Sequence, residues 1–113
     1  MATTVEFIEF VCSQIDETYQ VRYRKMFGEY MVYANNKPIL LVCDNTVYVK
    51  ILPELTGLLA EAEKGFPYQG AREHYILDAE DRELCNDVVQ ILELLTPLPV
   101  KKVRKRKKTV GEI

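Results

Sequence analysis

The sequence predicts an α+β domain with two layers, in which helices pack on one face of an antiparallel meander sheet. Stretches with helical spacing of apolar residues lie near both ends, and Val-, Tyr- and Ile-rich runs separated by short turn signals lie between them. The chain has 113 residues, 48% of them hydrophobic, which suits one core and leaves no room for a second domain. Residues 1–98 are therefore expected to form the domain, and residues 99–113 a basic, disordered tail.

The first element is predicted to be an amphipathic helix. A Thr N-cap, at Thr3 or Thr4, and Glu6 in the first turn are typical helix-start signals. Apolar side chains follow at helical spacing, namely Val5, Ile8, Val11, Cys12 and Ile15.

A meander of short strands is predicted next. Asn35-Asn36 and Asp44-Asn45 are turn signals, because Asn and Asp tolerate the positive φ that two-residue hairpin turns require. Residues 29–34, 37–43 and 46–51 are expected to pair antiparallel in that order, joined by the strand before Gly28. Within the third of these strands, alternation directs Val47 toward the core and Tyr48 toward the other, wetter face.

The rest of the domain is predicted to be helix, strand and helix. Pro53 suits the first turn of a short helix that ends at Gly65, and residues 73–77 favour one more strand. Asp81 is the expected N-cap of a last helix that Pro97 and Pro99 close. The apolar positions of the two helices are Leu55, Leu58, Leu59 and Ala62, and then Leu84, Val88, Ile91, Leu92 and Leu95.

Residue types that carry catalysis are sparse, so no enzyme, cofactor or metal is expected. His74 is the only histidine, and any Ser–His or Cys–His pair would depend on it. The five glycines lack the spacing of a phosphate loop. The acidic residues are interpreted as solvated carboxylates or helix N-caps. The cysteines, predicted to be buried or half-buried free thiols, are Cys12, Cys43 and Cys85. An enzymatic role is a minor alternative.

Two basic segments stand out as candidate contact sites. Arg22, Arg24 and Lys25 lead into Met26, Phe27 and Gly28, and an extended chain would place the two arginines on one face, about 7 Å apart. A solvated strand face that balances an acidic body is the plainer interpretation. The exposed sheet face around Tyr48 is a further candidate contact.

The second basic segment gives residues 97–113 a net charge of +6, against −8 for residues 1–96. Such a run can release counterions from DNA or RNA and bind it nonspecifically, although it can also act only as an electrostatic accessory. Its candidate nucleic-acid contacts are Lys101, Lys102, Arg104, Lys105, Arg106, Lys107 and Lys108.

The run Arg24-Lys25-Met26-Phe27-Gly28 resembles the N-terminal domain of the TfoX/Sxy family, whose hallmark is an Arg-Lys-Met-Phe-Gly run followed by a hairpin meander. The resemblance continues through the Asn35-Asn36 turn, the strand at 39–43 and the hairpin at 44–50, and covers roughly residues 5–96. It implies a fold like that of secretion-chaperone-type domains and a role like that of competence regulators, which act on transcription with partner proteins.

Two departures limit what the resemblance implies. Glu29 stands where relatives often have a second glycine, and full-length regulators carry a C-terminal helical domain where this chain has a short basic tail. The expected function is thus a non-enzymatic, cytoplasmic protein-interaction module, monomeric or dimeric, with nucleic-acid binding through the tail as the alternative. The absence of a signal-like or membrane-spanning apolar run underlies the expected location.

Overall fold

A computed structural model describes residues 3–26 and 29–97. They form a six-stranded antiparallel sheet with two helices on one side, which confirms the predicted α+β class. The sheet order is β1-β2-β3-β4-β6-β5. The elements are α1 (Val5–Gln14), β1 (Val21–Met26), β2 (Glu29–Ala34), β3 (Lys37–Cys43), β4 (Thr46–Lys50), β5 (Lys64–Gly65), β6 (His74–Leu77) and α2 (Arg82–Leu95). Phe27, Gly28 and the predicted tail at 99–113 lie outside the described residues.

Helix α1 begins as predicted, with Thr4 as its N-cap. The Thr4 side chain accepts a hydrogen bond from the Phe7 backbone N–H at 3.1 Å, which satisfies one of the free amides of the first turn. Ile8 and Val11 are buried against the sheet. Capping and one apolar stripe therefore fix where this helix starts and which side it buries.

The two predicted hairpin turns are confirmed by their backbone angles. Asn35 and Asn36 have φ of 53° and 68°, and Asp44 and Asn45 have φ of 54° and 56°. Positive φ at both central residues is the signature of a type I′ turn, whose twist matches that of the flanking strands. The turns thus set β2, β3 and β4 side by side, and β4 ends one residue before the predicted boundary, leaving Ile51 40% exposed.

A β-bulge interrupts the pairing of β2 with β3. Val32 pairs with Leu40 and Tyr33 pairs with Pro38, so Ile39 has no cross-strand partner. A proline has no N–H to donate to a sheet ladder and is tolerated inside a sheet mainly at bulges. Pro38 lies next to this bulge, at a position where the sheet tolerates a residue without an N–H.

The core lies between the helices and one face of the sheet. One cross-strand row, Tyr30-Val42-Val47-Leu77, and two cross-strand pairs, Val32-Leu40 and Val49-Tyr75, consist of buried side chains. Ile8 and Val11 of α1 and four α2 residues join the same cluster. The four α2 residues are Cys85, Val88, Val89 and Leu92.

The predicted second helix is wrong. Residues Pro53–Leu55 form a single 3₁₀ turn, followed by hydrogen-bonded turns up to residue 61, and Gly65 belongs to β5 instead of ending a helix. The bonds mix spacings: Leu59 N–H donates to the Leu55 carbonyl, and Ala62 N–H to the Leu59 carbonyl. Gly57 costs about 1 kcal/mol relative to alanine inside a helix, and so short a segment gains little from cooperativity.

Helix α2 is capped as predicted and tied to the sheet at its far end. The Asp81 side chain accepts a hydrogen bond from the Leu84 backbone N–H at 3.0 Å. Lys37 Nζ lies 3.2 Å from Glu93 Oε2 and donates to the Glu93 carbonyl at 2.9 Å, placing a cation at the negative end of the helix. Among residues 3–26 and 29–97, no helix is long and apolar enough to cross a membrane.

Candidate protein-interaction surface

The candidate site is the sheet face that points away from both helices, which we call the open face. Residues paired directly across antiparallel strands share a face, and one such row runs across five strands. Arg24 pairs with Met31, Met31 with Leu41, Leu41 with Tyr48, and Tyr48 with Ile76. All except the exposed Arg24 are half-buried.

Arg22 and Arg24 form a basic rim at the β1 edge of the open face, and Arg22 packs on an aromatic ring. Arg22 pairs with Tyr33, so both side chains lie on the face that Arg24 shares. The Arg22 guanidinium carbon sits 4.2 Å from the centre of the Tyr33 ring, within cation–π range. Arg22 Nε also donates to Asn36 Oδ1 at 3.4 Å. The ring and the turn together orient one cation at the edge of the face.

The other side of the open face is aromatic and closely packed. The Tyr48 and His74 rings meet edge to face at 6.4 Å, and His74 Nδ1 donates to the Arg72 carbonyl at 2.7 Å. Desolvation, followed by the nearby Cys43, raises the pKa of Tyr48, so its hydroxyl stays protonated. A Cβ on Gly65 would lie 3.2 Å from Ile76 Cδ1, so a larger residue there would require the Ile76 side chain to shift.

The structure brings together some of the residues that the sequence singled out. Arg22 and Arg24 share a face as predicted, and Tyr48 lies in the same row as Arg24. Lys25 pairs with the buried Tyr30 and so points to the opposite face. Met26 is half-buried at the end of β1. Phe27, Gly28 and the seven basic tail residues lie outside the described part of the chain.

Three members of the row, Met31, Leu41 and Ile76, were not predicted as contact residues. Leu41 lies in the run that is apolar at every position, which indicates a strand in the middle of the sheet. The sequence signal for Met31 and Ile76 is the alternation of residues along β2 and β6. In each strand, the half-buried residues alternate with buried ones. Only the pairing register shows that the three meet in one row.

The cysteines are poor candidates for a nucleophile. Cys43 and Cys85 are buried and Cys12 is half-buried, as predicted, and all three are free thiols. Desolvation raises the pKa of Cys43 to about 12, and Glu29 adds to the shift. Desolvation also raises the pKa of Cys12 and Cys85 to about 11. Reactive cysteines have the opposite shift, because the thiolate is the nucleophile.

We therefore expect slow thiol alkylation of the folded protein. At pH 8 the raised pKa values leave almost no thiolate, so iodoacetamide should modify none of the three cysteines on a timescale that suffices in urea. Mass spectrometry of peptides after timed quenching measures the modification at each position. Half-buried Cys12 should react before the other two, and rapid labelling of Cys43 in the native protein would contradict the assigned burial.

An open cleft of about 370 Å³ lies at the opposite end of the sheet from Arg22 and Arg24. Four acidic residues and several apolar ones line it, and the described residues contain no group of three or more His, Cys, Asp or Glu placed to hold a metal. Its lining residues are Leu58, Leu59, Glu61, Ala62, Glu63, Ile76, Asp78, Asp81 and Leu84. Asp81 already serves α2 as its N-cap, and nothing in this arrangement pairs a nucleophile with a base.

Comparison with known proteins gives one informative result. No family model matches the sequence, and no solved structure matches it. The chain is 32% identical over 114 residues to the "uncharacterized 12.7 kDa protein in trpE 5′ region" of Spirochaeta aurantia. The alignment covers 98% of this chain and 97% of the spirochaete protein.

Proposed function

The chain belongs to the same family as the Spirochaeta aurantia protein, and we propose that it is a non-enzymatic interaction module that binds a protein partner through the open face. The module is of the kind that the resemblance to the TfoX/Sxy N-terminal domain implies, a regulator acting through a partner. One observation carries the proposal: the row that joins Arg24 to Tyr48 by way of Met31 and Leu41.

The composition of the open face supports protein binding. Interfaces are enriched in Tyr, Met and Arg, and their centres are apolar while their rims are polar. The open face has this order, because Met31, Leu41 and Tyr48 occupy the middle strands while Arg22 and Arg24 lie on the edge strand. Tyrosine and arginine are also the residues that most often carry binding energy.

The distribution of charge along the chain indicates that the partner carries negative charge. Residues 1–96 carry a net charge of −8, yet β1 holds Arg22, Arg24 and Lys25 within four consecutive positions. Among the described residues, no carboxylate forms an ion pair with either arginine. A local positive rim on an acidic body steers acidic partners to one place and repels them elsewhere.

Copurification with a charge-reversal variant tests this proposal. Tagged protein should retain a defined partner at moderate salt, and Arg24→Glu should reduce the retained amount about tenfold or more, because the reversal replaces an attraction by a repulsion. The matched control is Arg82→Glu, which makes the same charge change at an exposed arginine in the first turn of α2. Equal retention by wild type and Arg24→Glu, or equal loss in both variants, would overturn the proposal.

Nucleic-acid binding through the tail is the second candidate, and the seven basic residues at 101–108 favour it. Removal of residues 100–113 should abolish retention on DNA or RNA while the domain stays folded. For the full chain, the dependence of the logarithm of affinity on the logarithm of salt concentration should correspond to the release of about 5 to 7 counterions, at roughly 0.9 per phosphate contact on duplex DNA. Equal retention by the truncated chain in an electrophoretic mobility assay would exclude this role.

A further inference from the structure

Strand β1 is one of the two edge strands of the sheet that the described residues form. The residue before it shows which backbone groups of β1 bond to β2. The Asn35 N–H donates to the Gln20 carbonyl at 2.9 Å, so Gln20 and Asn35 form a hydrogen-bonded pair across the β1–β2 register. Hydrogen-bonded and non-hydrogen-bonded pairs alternate in an antiparallel ladder. Arg22 and Arg24 therefore bond to β2, whereas the backbone groups of Val21, Tyr23 and Lys25 point away from the sheet.

These outward backbone groups have no partner strand among the described residues. β1 is the first strand in the sheet order and pairs with β2 alone. No hydrogen bond from another described element reaches the backbone of Val21, Tyr23 or Lys25. An edge of this kind is a template for one more strand, and the positions between Val21 and Met26 have exposed side chains.

The charges on β1 select which strand can add. A second copy of this chain pairing along the same edge would bring arginine and lysine side chains against their own kind, which is how natural sheets prevent edge-to-edge association. An acidic strand would instead place carboxylates opposite Arg22 and Arg24. Opposite-charge pairs directly across a ladder stabilise it, and like-charge pairs destabilise it.

We propose that β1 accepts an extended acidic segment of a protein partner as a seventh strand of the sheet. The inference rests on the proposed protein-binding function and specifies the kind of partner. Arg22 and Arg24 lie on the open face, and Tyr23, 37% exposed, lies on the helix side of the same strand. The added strand should therefore alternate, with acidic side chains opposite the two arginines and an apolar side chain opposite Tyr23.

Amide hydrogen exchange with a designed probe tests the added strand directly. The probe is a short peptide of alternating glutamate and valine, with capped ends, added to the intact chain. NMR-detected exchange should slow at least about tenfold at Val21, Tyr23 and Lys25, whose N–H groups face the free edge, and stay nearly unchanged at Arg22 and Arg24, which are already bonded. Unchanged exchange at the three edge residues under saturating peptide would overturn the inference.

Backbone methylation of the probe supplies a matched pair of ligands. When valine is the residue opposite Tyr23, the valine amides face β1 and the glutamate amides face solvent. Methylation of the valine amides should abolish binding, while methylation of the glutamate amides should weaken it only slightly. Equal affinity of the two methylated peptides by fluorescence anisotropy would show binding by charge alone and would overturn the inference.

Protein variants separate the edge from the charges. Lys25→Pro removes one outward N–H at an exposed position without touching a β1–β2 hydrogen bond, and it should reduce affinity at least about tenfold relative to Lys25→Ala, which removes the same charge and keeps the N–H. The double variant Arg22→Glu/Arg24→Glu should lose affinity at least about tenfold, because each reversal replaces an opposite-charge pair across the ladder by a like-charge pair. Arg82→Glu should bind like wild type. If Lys25→Pro fails to fold, the methylated peptides still decide the question.

Each outcome also distinguishes this inference from the proposed function. If the peptide fails to bind while copurification of a partner still depends on Arg24, strand addition is wrong and the open face alone carries the function. If a single-stranded oligonucleotide binds in an arginine-dependent way and the peptide does not, the ligand of β1 is a polyanion and the inference is overturned. Slowed exchange at the three edge amides together with loss in Lys25→Pro would establish it.

Discussion

Leu40→Ala is expected to lower the free energy of unfolding by about 2 to 5 kcal/mol, the usual cost of truncating a fully buried leucine. Leu40 is 1% exposed, pairs with Val32 and lies on a strand in the interior of the sheet. The loss combines the transfer free energy of the removed methyl groups with the cavity that neighbouring strands are too constrained to fill.

Urea denaturation followed by circular dichroism measures this effect, and Leu94→Ala is the matched control. Leu94 is 74% exposed on α2, so its truncation should change the free energy of unfolding by less than about 0.5 kcal/mol. Similar losses in the two variants would mean that the assigned core is incorrect.

Asn45→Val is expected to cost about 2 to 4 kcal/mol, because it places a β-branched residue at positive φ and removes one side-chain hydrogen bond. Its φ is 56°, a region that β-branched residues strongly disfavour. Its Oδ1 accepts from the Thr4 backbone N–H at 3.0 Å, and its own N–H donates to Thr3 Oγ1 at 3.1 Å. One turn residue thus ties the β3–β4 hairpin to the start of α1.

Two glycine variants, one in each hairpin turn, separate the contribution of backbone strain from that of the side-chain hydrogen bond. Asn45→Gly keeps the positive φ and removes only the side-chain acceptor, so it should cost about 1 kcal/mol. Asn36→Gly, at φ of 68° in the other hairpin, should be close to neutral, since its side chain makes only a long contact with Arg22. Chemical denaturation gives all three values, and an Asn45→Val variant as stable as Asn45→Gly would exclude backbone strain as the cause.

Local signals made most of the fold predictable. The Asn35-Asn36 and Asp44-Asn45 turns and the caps at Thr4 and Asp81 depend on a few neighbouring residues, and the structure confirms each of them. The helix predicted at residues 53–65 is wrong because the spacing of Leu55 and Leu59 suits both a helix and a pair of turns. Burial of both side chains satisfies the pattern in either case, so periodicity alone does not decide.

The candidate surface was less predictable, because it depends on pairings between distant parts of the chain. Alternation along β4 placed Tyr48 on the outer side, but its neighbour Ile76 belongs to β6, which pairs with β4 across an intervening segment. The distinctive run at 24–28 makes Arg24 a candidate contact from the sequence alone. Only the pairing register shows that Arg24 lies in the same row as Tyr48. The family resemblance based on that run stays a prediction.

The β-bulge at Ile39 sets which change in chain length the sheet can absorb. Apart from Ile39, each residue of β3 from Lys37 to Val42 has a partner on β2. Deleting one of these paired residues would therefore shift the register of the strand and turn apolar side chains toward water. Losing Ile39 alone would leave each remaining pair matched, at the cost of one side chain that is 7% exposed. Homologues shorter by one residue in this strand should therefore carry the gap at position 39.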